Sequence, residues 1–360
     1  MNGNPKILAA SALLMLAIGS ASAQTYRVSN YAYGAYEAYS TISFPPFGSY
    51  SRTDTLGWLG YSEAAFSTAG LPLSHSASGT WTDTAGLGMG DVNFSVFTST
   101  DFRHNHAKVS LDGFVSVNAS STTPYCPTDP SGVCLAPPVD VETQLSNNAW
   151  LYGNSRWEEL YYIGGGSGSG VLTPTYHIDG TLGPGTGAST GSASFSWLQR
   201  DFAGHVVLGI SASYDLASDS WSKSVFDTST QQWQYSNGSG SLMLNENLSA
   251  AISFDYNQAF YVDSQLWTQV SQNGLVDFEN TVTLSQLTLP AGARLYVSSG
   301  TDYSGTAQFL GSGGVLCNDQ SCATGGGGGG TPPVPEPASW ALWLGGVALL
   351  AAWRQCSRER

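Results

Sequence analysis

The chain has 360 residues, with 26 Asp and Glu against 12 Lys and Arg, a net charge of −14, and only 11% charged residues beside 43 glycines. A chain this acidic repels other polyanions, so nucleic-acid binding is excluded. Scarce Glu and Lys with abundant Gly, Ser, Thr, Tyr and Trp exclude long surface helices and predict strands joined by glycine-rich turns.

The amino terminus reads as a secretory signal in three parts. Lys6 carries the charge, Ile7 to Ile18 is almost wholly apolar, and Ala21-Ser22-Ala23 supplies the small-residue cleavage pattern, with cleavage expected before Gln24. Residues 1–23 are therefore a signal peptide, which implies the Sec translocon and signal peptidase as partners. An exported body of residues 24–324 follows. From Gln24 to Gly330 it carries eight Lys and Arg against 24 Asp and Glu, a net of −16.

Period-two alternation dominates the body and predicts an all-β fold, a large antiparallel β-sandwich. Tyr31, Tyr33 and Tyr39 share one face of the first strand. Val109, Leu111, Val115 and Val117 share a face of another, with a bend expected at Gly113. Val206, Leu208, Ile210, Ala212, Tyr214 and Leu216 alternate with Ser211, Ser213 and Asp215. Leu244, Leu248, Ile252 and Phe254, then Phe260, Val262, Leu266 and Val270, continue the pattern. Val282 and Leu284 are out of phase with Leu287 and Leu289, which predicts a bulge near Ser285. Two glycine-rich segments, Gly164 to Gly170 and Gly180 to Gly191, flank a strand around Val171–Ile178. They mark either a split into two subdomains near 164–191 or long loops of a single sandwich.

Cysteine usage fits an oxidising compartment. Cys126 pairs most simply with Cys134, and Cys317 with Cys322, although four cysteines allow three connectivities.

Motifs that carry chemistry are weak. Gly187-Ala188-Ser189-Thr190-Gly191 matches a nucleophile elbow in letters but lacks the strand before it and the helix after it. His104 and His106 would share a strand face, yet no third metal ligand is indicated beyond Asp101 and Asp112. Adjacent Glu158 and Glu159 point to opposite faces of a strand and cannot act as a pair. The turn-rich stretch from Asp83 to Asp91 has oxygen donors for a structural Ca²⁺ but no ordered repeat, so turns are expected there and no cofactor. Aromatic residues are the more suggestive feature. Trp221, Trp233 and Tyr235 cluster around a hairpin turn at Asp227–Gln231, where rings on a sandwich face can stack on sugars, although large aromatics more often fill cores.

The carboxyl end has a fixed order. Gly325–Gly330 and Thr331-Pro332-Pro333 form a linker (residues 325–333). Pro335-Glu336-Pro337 precedes an apolar segment, 338–353, expected to span the membrane as a helix. Trp340, Trp343 and Trp353 sit at its interfaces, and Arg354, Arg358 and Arg360 hold the end in the cytoplasm. Cys356 lies among those arginines. These features resemble the PEP-CTERM sorting domain, over residues 334–360. The resemblance implies that Pro335, Glu336 and Pro337 are read by exosortase, a membrane-embedded cysteine protease, which removes the tail close to them. It implies a precursor anchored in the inner membrane of a Gram-negative bacterium, then delivery to the cell surface. The segment 275–300, with turns at Asn280-Thr281 and Pro290-Ala291-Gly292, loosely resembles the last strands of such proteins.

The leading expectation for the body is a non-enzymatic surface protein associated with extracellular polysaccharide or biofilm matrix. A carbohydrate-binding module using Trp221, Trp233 and Tyr235 is the second, and a secreted glycoside hydrolase the third.

Overall fold

The structure, a computed structural model, describes residues 26–43, 51–67, 72–82, 91–126, 128–134, 139–185, 190–201 and 203–324. The expected signal peptide (Ala21, Ala23 and Gln24 included), the linker, the sorting tail, its membrane segment and its arginines lie outside those residues. So do residues 187–189 of the elbow-like motif and 83–90 of the turn-rich stretch. Among the described residues no helix is long and apolar enough to cross a membrane.

The described body is nearly all β. It comprises β1 (Tyr26–Ser43), β2 (Ser51–Ser67), β3 (Leu73–Trp81), β4 (Val92–Thr100), β5 (His104–Asp112), β6 (Asn118–Tyr125), β7 (Val139–Gly164), β8 (Ser169–Gly183), β9 (Ser192–Arg200), β10 (Val206–Asp215), β11 (Ser220–Asp227), β12 (Gln232–Ser239), β13 (Leu242–Ser249), β14 (Ile252–Asp255), β15 (Ala259–Ser271), β16 (Gly274–Leu289), β17 (Arg294–Val297), β18 (Ala307–Phe309) and β19 (Val315–Cys317). One short helix, α1 (Gln320–Ala323), closes the described chain.

Two sheets form. The larger has eleven strands, ordered β12-β11-β10-β9-β15-β7-β1-β2, with β6, β17 and β19 off that path. The smaller has eight, ordered β13-β8-β16-β5-β4-β3, with β14 and β18 attached. Pairing is antiparallel except for β16 with β18 and β17 with β19. The sheets stack face to face: β4 lies across from β1 and β7, β5 from β7 and β15, β16 from β15 and β9, and β8 from β9 and β10. Gly164 to Gly170 is a corner where β7 leaves one sheet and β8 enters the other. Both sheets contain strands from before and from after residues 164–191, the earlier ones forming one contiguous block along each main strand order.

The alternation seen in the sequence sets the inward faces. Leu208, Ile210, Ala212 and Tyr214 are buried, as are Phe260, Val262, Leu266 and Val270. Register shifts between Leu284 and Gln286, the bulge expected at Ser285. The second half of the Val109–Val117 pattern does not hold. β5 stops at Asp112, Gly113 takes φ +85°, and Val115 is 52% exposed. Side-chain amides hold the segment beyond it in place of a strand ladder. Asn273 accepts from the Phe114 amide and donates to its carbonyl, both at 2.9 Å. Asn147 accepts from the Val117 amide and donates to the Val115 carbonyl, both at 2.8 Å. A pair of such bonds mimics a backbone partner and satisfies groups that would otherwise be left open.

A polar seam crosses the apolar interior. Trp197 Nε1 donates to Ser264 Oγ at 3.0 Å, and Ser264 Oγ donates to Asn105 Oδ1 at 2.6 Å. Asn105 Nδ2 donates to the Ser155 carbonyl at 3.0 Å, and Ser155 Oγ to the Ser99 carbonyl at 2.9 Å. The seam links β9, β15, β5, β7 and β4, so it fixes how the two sheets register on each other.

Both local disulfides form: Cys126 with Cys134, and Cys317 with Cys322, each with Cα atoms 5.5 Å apart. The second ties α1 to β19, beside Tyr162 at the end of β7.

Candidate functional site

In a sheet, residues paired across neighbouring strands share a face, so the pairings define rows running across the strands. On the outer face of the larger sheet one row is continuous through seven strands. Tyr31 pairs with Asn154, Asn154 with Trp267, Trp267 with Ser196, Ser196 with Ser211, Ser211 with Ser224, and Ser224 with Tyr235. The adjacent row runs Tyr33, Tyr152, Gln269, Ser194, Ser213, Ser222, Asn237 through the same pairings. Neither row contains a charged side chain.

The two ends are aromatic. On β1, β7 and β15, Tyr33 stacks on Tyr152 with ring centroids 4.9 Å apart and planes 3° apart. Trp150 meets Tyr33 edge-on at 5.3 Å, and Trp267 meets Tyr31 edge-on at 6.2 Å. Burial, reinforced by neighbouring Tyr33 and Tyr152, pushes the Tyr31 phenol up to about 12, and burial raises Tyr33 as well, so this end stays neutral. At the far edge Phe226 and Trp233 pack edge-on at 5.5 Å, and Tyr235 stands 80% exposed beside them. Trp233 reaches across β11 to Gly209: a Cβ there would lie 2.7 Å from the indole Cη2, so the ring rests on bare backbone.

Between the aromatic ends the floor is serine. Ser211 and Ser224 hydroxyls are 2.7 Å apart, and those of Ser213 and Ser222 are 2.9 Å apart. An open depression of about 530 Å³ lies over the second row at this edge, lined by Ser213, Asp215, Ser220, Ser222 and Asn237 among others. Beyond the first row the face becomes charged: Arg156 binds Asp263 (2.8 Å) and Glu158 (2.6 Å), and Arg200 reaches Asp263 at 3.3 Å.

The structure brings together two of the three clustered aromatics of the sequence and separates the third. Trp233 and Tyr235 lie on the outer face. Trp221 pairs with Gly238 and Tyr214, points inward, and packs against the core. Nearby, Lys223 binds Glu246 of the opposite sheet at 2.6 Å and closes that end of the interior. Sequence clustering did not disclose Tyr31, Tyr152 and Trp267 as neighbours of this face, because only strand order and register assemble them.

The remaining candidates are dispersed. His104 and His106 stack with ring centroids 5.6 Å apart, and His104 Nδ1 lies 2.8 Å from Asp101 Oδ1. Burial lowers His106, favouring the neutral ring. No group of three His, Cys, Asp or Glu able to hold a metal assembles among the described residues. Glu158 and Glu159 do face opposite ways: Glu158 pairs with Arg156 on the outer face, and Glu159 is fully buried. Tyr303 donates to Glu159 at 2.6 Å and Ser299 also binds it. Burial pushes the Glu159 carboxyl up to about 7, against the lowering effect of those bonds.

Comparison with known proteins bears on the tail. No curated protein matches the chain. Among solved structures, the outer membrane protease OmpT from Escherichia coli aligns over 72% of this chain and 98% of its own. The alignment has 8% identity and a TM-score of 0.11, too slight a likeness to bear on the fold. The profile of the PEP-CTERM protein-sorting motif matches residues 333–358, the segment holding Pro335, Glu336, Pro337, Arg354 and Arg358. The chain is an exported protein that carries a PEP-CTERM sorting motif and is directed by it, through exosortase, to the cell surface.

Proposed function

We propose that the β body is a non-enzymatic surface protein that associates with the extracellular polysaccharide of the producing cell. The observation that carries this reading is the sorting motif joined to a body whose outer face holds two adjacent uncharged rows, hydroxyl-lined and flanked by aromatics. The precursor is taken up by the Sec translocon, trimmed by signal peptidase before Gln24, and held in the inner membrane by residues 338–353. Arg354, Arg358 and Arg360 lie on the cytoplasmic side until exosortase acts at Pro335–Pro337. A body at −16 keeps clear of anionic lipid and nucleic acid and remains soluble in the matrix.

A dedicated carbohydrate-binding module is the second reading, favoured by Trp233 and Tyr235 on one exposed face. A glycoside hydrolase has less support, since Glu159 is enclosed in the core and Glu158 is neutralised by Arg156.

Fractionation of the producing cells tests the association. The protein is expected to co-purify with surface polysaccharide and to pass into the medium when polysaccharide synthesis is blocked. Unchanged partitioning in the blocked strain would refute it.

A further inference from the structure

We propose that the outer face of the eleven-stranded sheet is the binding platform for a linear, neutral polysaccharide lying across the strands, from Tyr31 to Tyr235. This deepens the polysaccharide reading and rests on it. The register carries the assignment. Trp267 and Tyr235 stand four strands apart in one row, and at about 4.8 Å per strand they are separated by roughly 19 Å. A flat site of that length, open at both sides, suits an extended polymer better than a small ligand, which is enclosed in a concave pocket.

The chemistry of the row selects the class of polymer. Sugar rings offer an apolar face and a rim of hydroxyls. Trp267 and Tyr235, 37% and 80% exposed, present ring surface at the two ends, and Ser196, Ser211 and Ser224 present hydroxyls between them. The row has no charged group, the tyrosine cluster remains neutral, and the body carries −16. An acidic polymer would be repelled without any basic side chain in the row to receive it, so the occupant is neutral.

A second observation points the same way. Asn154 lies in the row between Tyr31 and Trp267, whose rings meet above it. It is 1% exposed, its Nδ2 donates to the Leu266 carbonyl at 3.1 Å, and its Oδ1 has no hydrogen-bond partner. A buried acceptor left open is costly. A sugar hydroxyl entering as the exposed Trp267 ring shifts would satisfy it.

The test uses protein secreted by the producing cells, applied to the cells' own polysaccharide, to a neutral β-glucan and mannan, and to acidic alginate. The variants are Trp267→Ala, Tyr235→Ala and Ser213→Arg, with Met243→Ala, 80% exposed on the other sheet, as a control. Circular dichroism and thermal midpoints verify the fold of each. Wild type and Met243→Ala are expected to be retained on a neutral polymer, with retention roughly tenfold weaker in each single platform variant. Wild-type-like retention of all three platform variants overturns the site and leaves the polysaccharide reading intact. Retention on alginate alone overturns the neutral assignment. Failure of wild type to bind any of the polymers, its own included, overturns both. Concentration-dependent self-association abolished by Trp267→Ala, without glycan retention, assigns the face to a second copy and also overturns the proposal.

Discussion

Trp267 on β15 and Ser196 on β9 are direct cross-strand partners, and that pairing joins the tyrosine–tryptophan cluster of one half of the sheet to the serine floor of the other. Without it the outer face would hold two unrelated aromatic groups. With it, seven strands present one uncharged line.

The two platform rings are expected to differ in what they contribute to stability. Tyr235→Ala removes a ring that is 80% exposed, and its unfolding free energy should stay within about 0.5 kcal/mol of wild type. Trp267→Ala removes a ring that is only 37% exposed and loses the edge contact with Tyr31, so it should cost about 3 kcal/mol. Denaturant titration measures both. A loss of several kcal/mol at Tyr235 would mean that the ring is packed.

Asn105 is the junction of the buried seam, serving Ser264 and Ser155 from a position with no solvent exposure. Its replacement by alanine takes away the acceptor of the Ser264 hydroxyl and a donor to the Ser155 carbonyl, both in the interior. Asn105→Ala should destabilise the body by about 3 kcal/mol, whereas Ser110→Ala, on the outer side of the same strand, should cost under about 0.5 kcal/mol. Equal effects of the two would contradict the seam's role.

Glu159 gives the body a pH dependence of known sign. Its folded-state value is about 7 against an ordinary 4.5, so between those limits the native state binds more protons than the unfolded chain. Stability from this group is full below pH 4.5, declines as pH rises through 7, and is then flat. The total is about 3 kcal/mol at 1.36 kcal/mol per unit. Glu159→Gln should lose this dependence, so its stability relative to wild type should rise between pH 4.5 and 8. A pH-independent difference between the two would contradict an enclosed carboxyl.

Each disulfide closes a short local loop, with partners eight and five residues apart. Peptide mapping without reduction should recover Cys126 with Cys134 and Cys317 with Cys322. Replacing the second pair by serine should cost roughly 2 kcal/mol, the scale expected for loops this small, with the loss concentrated around α1. A peptide joining Cys126 to Cys317 would refute the pairing.

Much of the architecture was legible in the sequence, because half-buried strands leave a period-two trace. Ile210 and Tyr214 against Ser211 and Ser213 predict their faces correctly, and the phase change at Leu284–Leu287 predicts the bulge. Val115 and Val117 mislead for a definite reason: side chains of Asn147 and Asn273, distant in sequence, take over the backbone partners of that segment. The platform was half legible. Trp233 and Tyr235 announce themselves as neighbours, but Trp221 pairs with Gly238, five positions past Trp233, and an odd offset puts the two indoles on opposite faces. Tyr31 and Trp267 meet only through strand order, which no local pattern encodes.

The polysaccharide reading depends on the body leaving the inner membrane. The most direct measurement is the intact mass of the protein purified from its own cells. Sorting predicts a chain that begins at Gln24 and ends near Pro335–Pro337, with or without an added group at the new carboxyl end. A mass that runs through to Arg360 would contradict exosortase processing and leave the platform facing the periplasm.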